Sequence, residues 1–278
     1  MYTGSFAERE GAFFVPEKPG RRSDMIRIAV YGKGGIGKST MTSHLSAAFA
    51  KLGKRVIQIG CDPKADSTMN LLGGRHVTPV MDYLRDHDED PESVEEISAS
   101  GYGNVLCIET GGPTPGLGCA GRGILATFQI LEDLRLFETF RPDVVLYDVL
   151  GDVVCGGFAA PIREGYARKV IIVTSGEKMA LYAAGNICTA VRNFEDRGYA
   201  SVYGVICNER NVEKEREKVQ DFADGQGIPV IAFVPRSREI QQCEEKGMTT
   251  VEQDPSLPVS RCFLELAQKL IEEEEGGT

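Results

Sequence analysis

The run Gly32-Lys33-Gly34-Gly35-Ile36-Gly37-Lys38-Ser39-Thr40 limits what this chain can fold into more than any other segment. It has the phosphate-loop spacing, follows a β-branched run at 26–31 and opens a helical pattern at 39–52. Strand, tight loop and helix form the context in which that spacing carries meaning. Glycines let successive backbone N–H groups turn inward on phosphate oxygens, and the helix N-terminus adds positive potential. The expected roles are Lys38 on the β- and γ-phosphates of ATP and the Ser39 hydroxyl on Mg²⁺. Lys33 lies outside the basic pattern and, taken alone, reads as a solvated surface lysine.

From Met25 onward, short β-branched runs alternate with helical stretches, the signature of repeated βαβ units. Strands are expected at 26–31, 55–59, 104–109, 144–148, 169–174, 202–207 and 230–234. Helices are expected at 39–52, 122–137, 178–196, 212–225, 236–246 and 258–275. The strands are apolar throughout, as when helices cover both sheet faces. The expected fold is α/β: one P-loop NTPase domain over 25–278, with a mostly parallel sheet and helices on both faces. Residues 1–24 mix Gly, Pro, Arg and Glu without periodicity and are expected to form a mobile N-terminal arm. A net charge of −10 speaks against a nucleic-acid partner. No apolar run approaches the roughly 20 residues of a membrane span, and 1–24 lack the core of a signal peptide. The expected location is the cytoplasm, with no membrane partner.

Eight cysteines in such a chain are not expected as disulfides. Cys107 and Cys207 sit in strand-like runs, Cys61 ends a strand, and Cys188, Cys243 and Cys262 fall in helical patterns; all six read as packing residues. Cys119 and Cys155 differ, because glycines flank both. Iron–sulfur clusters usually take four thiolates. Two candidates per chain match that number if a two-fold homodimer bridges one 4Fe-4S cluster, each subunit giving Cys119 and Cys155. Asp148 ends an apolar strand, where a carboxylate orienting a Mg²⁺ shell belongs, and Asp62 ends the strand after the phosphate-loop helix. Asp152 lies between Asp148 and Cys155, on a short path from nucleotide to cluster.

These segments together resemble the nitrogenase iron protein family. The resemblance rests on the phosphate loop with its extra Lys33 and on Gly60-Cys61-Asp62-Pro63-Lys64-Ala65-Asp66-Ser67-Thr68. It rests also on Gly118-Cys119-Ala120-Gly121-Arg122-Gly123 and on Tyr147-Asp148-Val149-Leu150-Gly151-Asp152-Val153-Val154-Cys155-Gly156-Gly157-Phe158. It continues through Ile206-Cys207-Asn208 and Phe233-Val234-Pro235-Arg236. The resemblance implies a homodimeric ATP-hydrolysing reductase with MgATP in each subunit and one bridging 4Fe-4S cluster. It would deliver electrons from a ferredoxin or flavodoxin-type donor to a nitrogenase-like catalytic component. It implies that Lys33 reaches across the dimer interface, with Lys33, Lys38, Asp62 and Asp152 serving catalysis. Lys64, Asp66, Asn208, Pro235 and Arg236 would join the nucleotide site, Asn208 and Pro235 beside the adenine. Arg122 would lie near the cluster on the docking face.

Four departures favour a non-nitrogenase branch, such as a tetrapyrrole reductase system: the added arm, an end soon after Leu270, Thr114 where the family typically carries Glu, and Ser237 where it commonly carries Asp. A true nitrogenase iron protein is the alternative. A partition or cell-division ATPase would share the fold but has no use for Cys119 and Cys155. A cluster-assembly carrier usually has closely spaced cysteines.

Overall fold

A computed structural model of the chain describes residues 25–87, 89–112, 120–151, 159–163, 165–195 and 199–276. The expected arm, Thr114, Cys119, Asp152 and Cys155 lie outside the described residues. In chain order the elements are β1 (Ile26–Gly32), α1 (Lys38–Lys51), β2 (Val56–Cys61), α2 (Val80–Asp86), β3 (Ser98–Ser100) and β4 (Leu106–Glu109). Next come α3 (Ala120–Asp133), α4 (Leu136–Phe140), β5 (Val144–Val149), α5 (Ala160–Arg163), β6 (Lys169–Thr174) and α6 (Lys178–Glu195). The chain continues through β7 (Ser201–Asn208), α7 (Glu215–Gln226), β8 (Val230–Val234), α8 (Arg238–Glu244), α9 (Thr250–Gln253) and α10 (Pro258–Gly276).

The eight strands form one sheet in the order β3-β4-β2-β5-β1-β6-β7-β8. Every pairing is parallel except β3 with β4. Side chains alternate across a strand, so a sheet covered on both faces needs apolar residues at every position. On β1, Ala29 and Tyr31 face one core, shared with Phe128 of α3 and Ile187 of α6. Ile28 and Val30 face the other, shared with Leu45 and Phe49 of α1 and Phe263 and Leu270 of α10. All seven expected strands are present and the expected α/β fold stands. In an open parallel sheet, ligands bind beyond the carboxyl ends of the strands. The phosphate loop leaves β1 there, near the middle of the sheet.

Local conformation explains where the elements depart from expectation. The helix expected at 122–137 is two helices, because Arg135 takes a left-handed conformation (φ 52°) between them. The helix expected from 212 begins at Glu215, after Asn211 and Lys214 adopt positive φ. The short β3, α2, α5 and α9 lie below the length at which hydrophobic periodicity is legible. The glutamates closing α10 pack back on the sheet's lower edge: Lys54 meets Glu275 at 2.9 Å, Lys169 meets Glu274 at 2.7 Å, and the Tyr203 hydroxyl donates to Glu273 at 2.5 Å.

Candidate functional site

Glycine is obligatory at two points of the phosphate loop. Gly37 caps α1 in the left-handed region (φ 97°), and a Cβ there would lie 2.5 Å from Asn208 Nδ2. A Cβ on Gly32 would meet the Val173 carbonyl oxygen at 2.3 Å. The outward carbonyls of the loop are held from β7 and the turn after it: Asn208 Nδ2 donates to Ile36 O at 2.8 Å, and the Arg210 guanidinium to Gly35 O at 2.6 Å. Holding C=O groups outward leaves N–H groups free to face an anion. Lys38 is buried and folds over the loop, its Nζ 3.4 Å from Lys33 O.

Asp148 sits beside β1, in register with Val30, and is 3% exposed. Burial pushes its carboxyl above the ordinary range, while the Ser39 and Ser67 hydroxyls and the Lys38 ammonium oppose that shift. Its Oδ1 is buried with no hydrogen-bond partner among the described residues. An orphaned carboxylate oxygen next to the Ser39 hydroxyl is the donor set a hydrated Mg²⁺ would satisfy, so this part of the site fits MgATP. Asp62 is close enough to Asp148 for their charges to repel, and its Oδ1 accepts the Lys64 N–H at 2.9 Å. The structure thus brings Lys38, Ser39, Asp62, Ser67 and Asp148 together. Lys64 and Asp66 stand exposed on the loop that follows Asp62.

An open cleft of about 280 Å³ continues from the loop. Asn208, Pro235 and Arg236, the residues expected near the nucleotide, line it together with Thr40, Arg210 and Gln241. Ser237, expected to distinguish a branch of the family, is the N-cap of α8 and accepts from Glu239 N at 3.1 Å and Ile240 N at 3.4 Å. Ser and Asp cap helices about equally well. The Ser-for-Asp difference is therefore neutral in that role.

Four contributors escaped the sequence reading. Arg210 lies two residues beyond Asn208 on the same strand-end turn, a position that could have marked it. Glu215 is buried; its Oε1 accepts Gly176 N at 2.8 Å, and its Oε2 accepts Arg210 N at 2.8 Å and Val212 N at 3.1 Å. It ties the turn carrying Arg210 to the end of β6. Gln58, buried on β2, donates to Ser67 O and Oγ, both at 2.9 Å, and accepts from Ser46 Oγ at 2.7 Å. It fastens the Asp62 loop to α1. Glu109 Oε1 accepts both Thr68 N (2.7 Å) and Thr68 Oγ1 (2.8 Å) at the far end of that loop, and burial pushes its carboxyl up to about 8. A polar residue inside an apolar strand was the available signal for Gln58 and Glu109.

The segments carrying Cys119 and Cys155 depart beyond the carboxyl ends of β4 and β5, strands separated only by β2 and on the edge that bears the phosphate loop. Arg122 is exposed in the first turn of α3. The six cysteines read as packing residues are buried, apart from a half-buried Cys262. Among the described residues, no group of three or more His, Cys, Asp or Glu could hold a metal ion. No described helix is long and apolar enough to cross a membrane.

Residues 26–277 match the model of the family described as 4Fe-4S iron sulfur cluster binding proteins, NifH/frxC family. The chain is 48% identical over 249 residues to the nitrogenase iron protein of Methanospirillum hungatei JF-1, covering 89% of this chain and 88% of that protein. Among solved structures it resembles the cell division ATPase MinD of Pyrococcus furiosus (TM-score 0.69, 20% identity, 88% of this chain and 98% of that one). It also resembles a ParA family ATPase of Chlorobium tepidum TLS (TM-score 0.66, 18% identity, 88% and 98%). At such identity these two likenesses concern the fold alone.

Proposed function

We propose, from the premise that this chain belongs to the NifH/frxC family of 4Fe-4S iron–sulfur cluster binding proteins, how its own residues serve an ATP-dependent reductase. The family binds a 4Fe-4S cluster together with MgATP, and its members are homodimers that work with a nitrogenase-like catalytic component. The observation that carries the reading is the orphaned Asp148 Oδ1 beside Ser39 and Lys38, on the strand whose continuation leads to Cys155.

The loop N–H groups and Lys38 bind the phosphates, while Ser39 and Asp148 hold the cation. Lys33 acts on the nucleotide of the opposite subunit, and Asp62 and Asp152 orient the attacking water. Asn208, Pro235 and Arg236 receive the base. Cys119 and Cys155 of two subunits hold one cluster, which supplies a one-electron carrier. Asp148 and Cys155 lie seven residues apart in sequence, so this segment would tie the residues holding the cation to the charge and solvent access around the thiolates, the protein's levers on such a centre. The electron donor is of ferredoxin or flavodoxin type.

For the partner, the neutral Thr114 in place of an acid changes electrostatic complementarity at the docking face and supports a component other than nitrogenase, such as a tetrapyrrole reductase. The 48% identity to a protein named nitrogenase iron protein favours the second reading, nitrogenase itself. Acetylene reduction with a purified nitrogenase component separates them. Little or no turnover, from protein holding about four irons per dimer, is the expected result. Turnover matching the cognate reductase establishes the second reading.

A further inference from the structure

We infer that the apolar groove beside β3 is the docking site of the chain's own residues 1–24, Phe13 and Phe14 filling it and Lys18, Arg21 and Arg22 meeting its acidic wall. The groove, about 490 Å³, lies at the edge of the sheet opposite β8, away from the base cleft. Its apolar surface comes from Val94, Leu106, Leu134 and Phe140, half-buried side chains packed on the core that α3 and α6 share. Its volume falls within the range of pockets that enclose organic groups. β3 ends the strand order, and Ser98, Ala99 and Ser100 line the groove. An edge strand offers backbone groups to an extended segment.

Three observations select the occupant. The first is position. Leu106 pairs with Ile57, Ile57 with Val145 and Val145 with Arg27, so the groove floor is level with the start of β1. Met25, from which the arm departs, belongs to the same apolar face as the groove. β1 and β4 are three strand spacings apart, about 14 Å. Twelve residues from Phe13 to Met25 can span up to about 40 Å.

The second observation is chemical. Ala12-Phe13-Phe14-Val15 is the longest apolar run in 1–24, and Pro16 biases Val15 toward extended backbone. The third is charge. No Lys or Arg occurs from 86 to 121, and Glu89, Asp90, Glu92, Glu95 and Glu96 are exposed beside or on the groove. Lys18, Arg21 and Arg22 place three cations within five residues of the arm. The family match begins at 26, so residues 1–24 lie outside the matched stretch, whereas the groove lies within it.

The test uses the full-length holoprotein with a photo-crosslinking benzoylphenylalanine at position 14, and hydrogen exchange on wild type and on F13D/F14D. Crosslinks should fall within 92–106 or 134–140 of the same polypeptide. Amide exchange at 98–100 should be about tenfold faster in F13D/F14D. A second variant, Val94→Glu, alters the groove instead of the arm and should abolish the crosslink while leaving cluster content unchanged. Crosslinks to another surface, to the second subunit or to an added catalytic component, or equal exchange in wild type and F13D/F14D, would overturn the assignment.

Discussion

Burial raises the Asp148 carboxyl, while two hydroxyls and a lysine pull against that rise. His44 shows the opposite response to the same burial. Its Nδ1–H donates to Thr40 O at 2.8 Å and its Nε2 accepts Thr250 N–H at 3.1 Å, an arrangement that only the neutral ring satisfies. Burial lowers it to about 4. The unfolded chain binds a proton below about 6.5 and the native chain does not until about 4, so this residue's contribution to stability is lost as pH falls through that window. The loss is about 3 kcal/mol at pH 4. Denaturant melts should show the stability gap between wild type and His44→Gln narrowing from pH 7 to pH 4. A constant gap would mean that His44 takes up its proton in the native protein as readily as in the unfolded chain.

At the scale of elements, the site depends on how three loops are fastened. Glu215 holds the Arg210 turn to the end of β6, and Arg210 in turn holds the phosphate loop. Glu215→Gln keeps the volume but turns an NH₂ group toward a backbone donor. Losing one such bond is worth about 1.4 kcal/mol, so MgATP should bind about tenfold more weakly. Adding Arg210→Ala should weaken it little further, because the two act through one contact. Fully additive losses in a nucleotide titration would refute that chain of support. Glu215 was not legible in the sequence, since it acts on the Gly176 backbone far away in the chain. Arg210 was marked by its place two residues beyond Asn208, but its distant partner Gly35 was not. The phosphate loop, Asp148 and Asn208 were legible because each sits at a strand end and belongs to a contiguous motif. Two departures from the expected helices had conformational causes: Arg135 divides one helix, Asn211 and Lys214 delay the start of another, and all three adopt left-handed backbone without being glycine.

For the whole molecule, the parallel sheet gathers the carboxyl ends of β1, β2, β5, β6 and β7 on one edge, so the phosphate loop, Asp62, Asp148 and the cleft lined by Asn208 share a single crevice. The same edge releases the two segments that carry Cys119 and Cys155. The uniformly apolar strands and the 3.6-residue periods made that architecture readable from sequence. The partner was less so, because Ser237 proved to serve as a helix cap. The central claim is that nucleotide at Lys38 and Asp148 controls the surroundings of a cluster held by Cys119 and Cys155. The most direct test is the rate at which an iron chelator strips the reduced holoprotein, with and without MgATP. MgATP should change that rate several-fold in wild type and leave it unaltered in Lys38→Gln. Identical rates in wild type, with nucleotide shown to be bound, would contradict the claim.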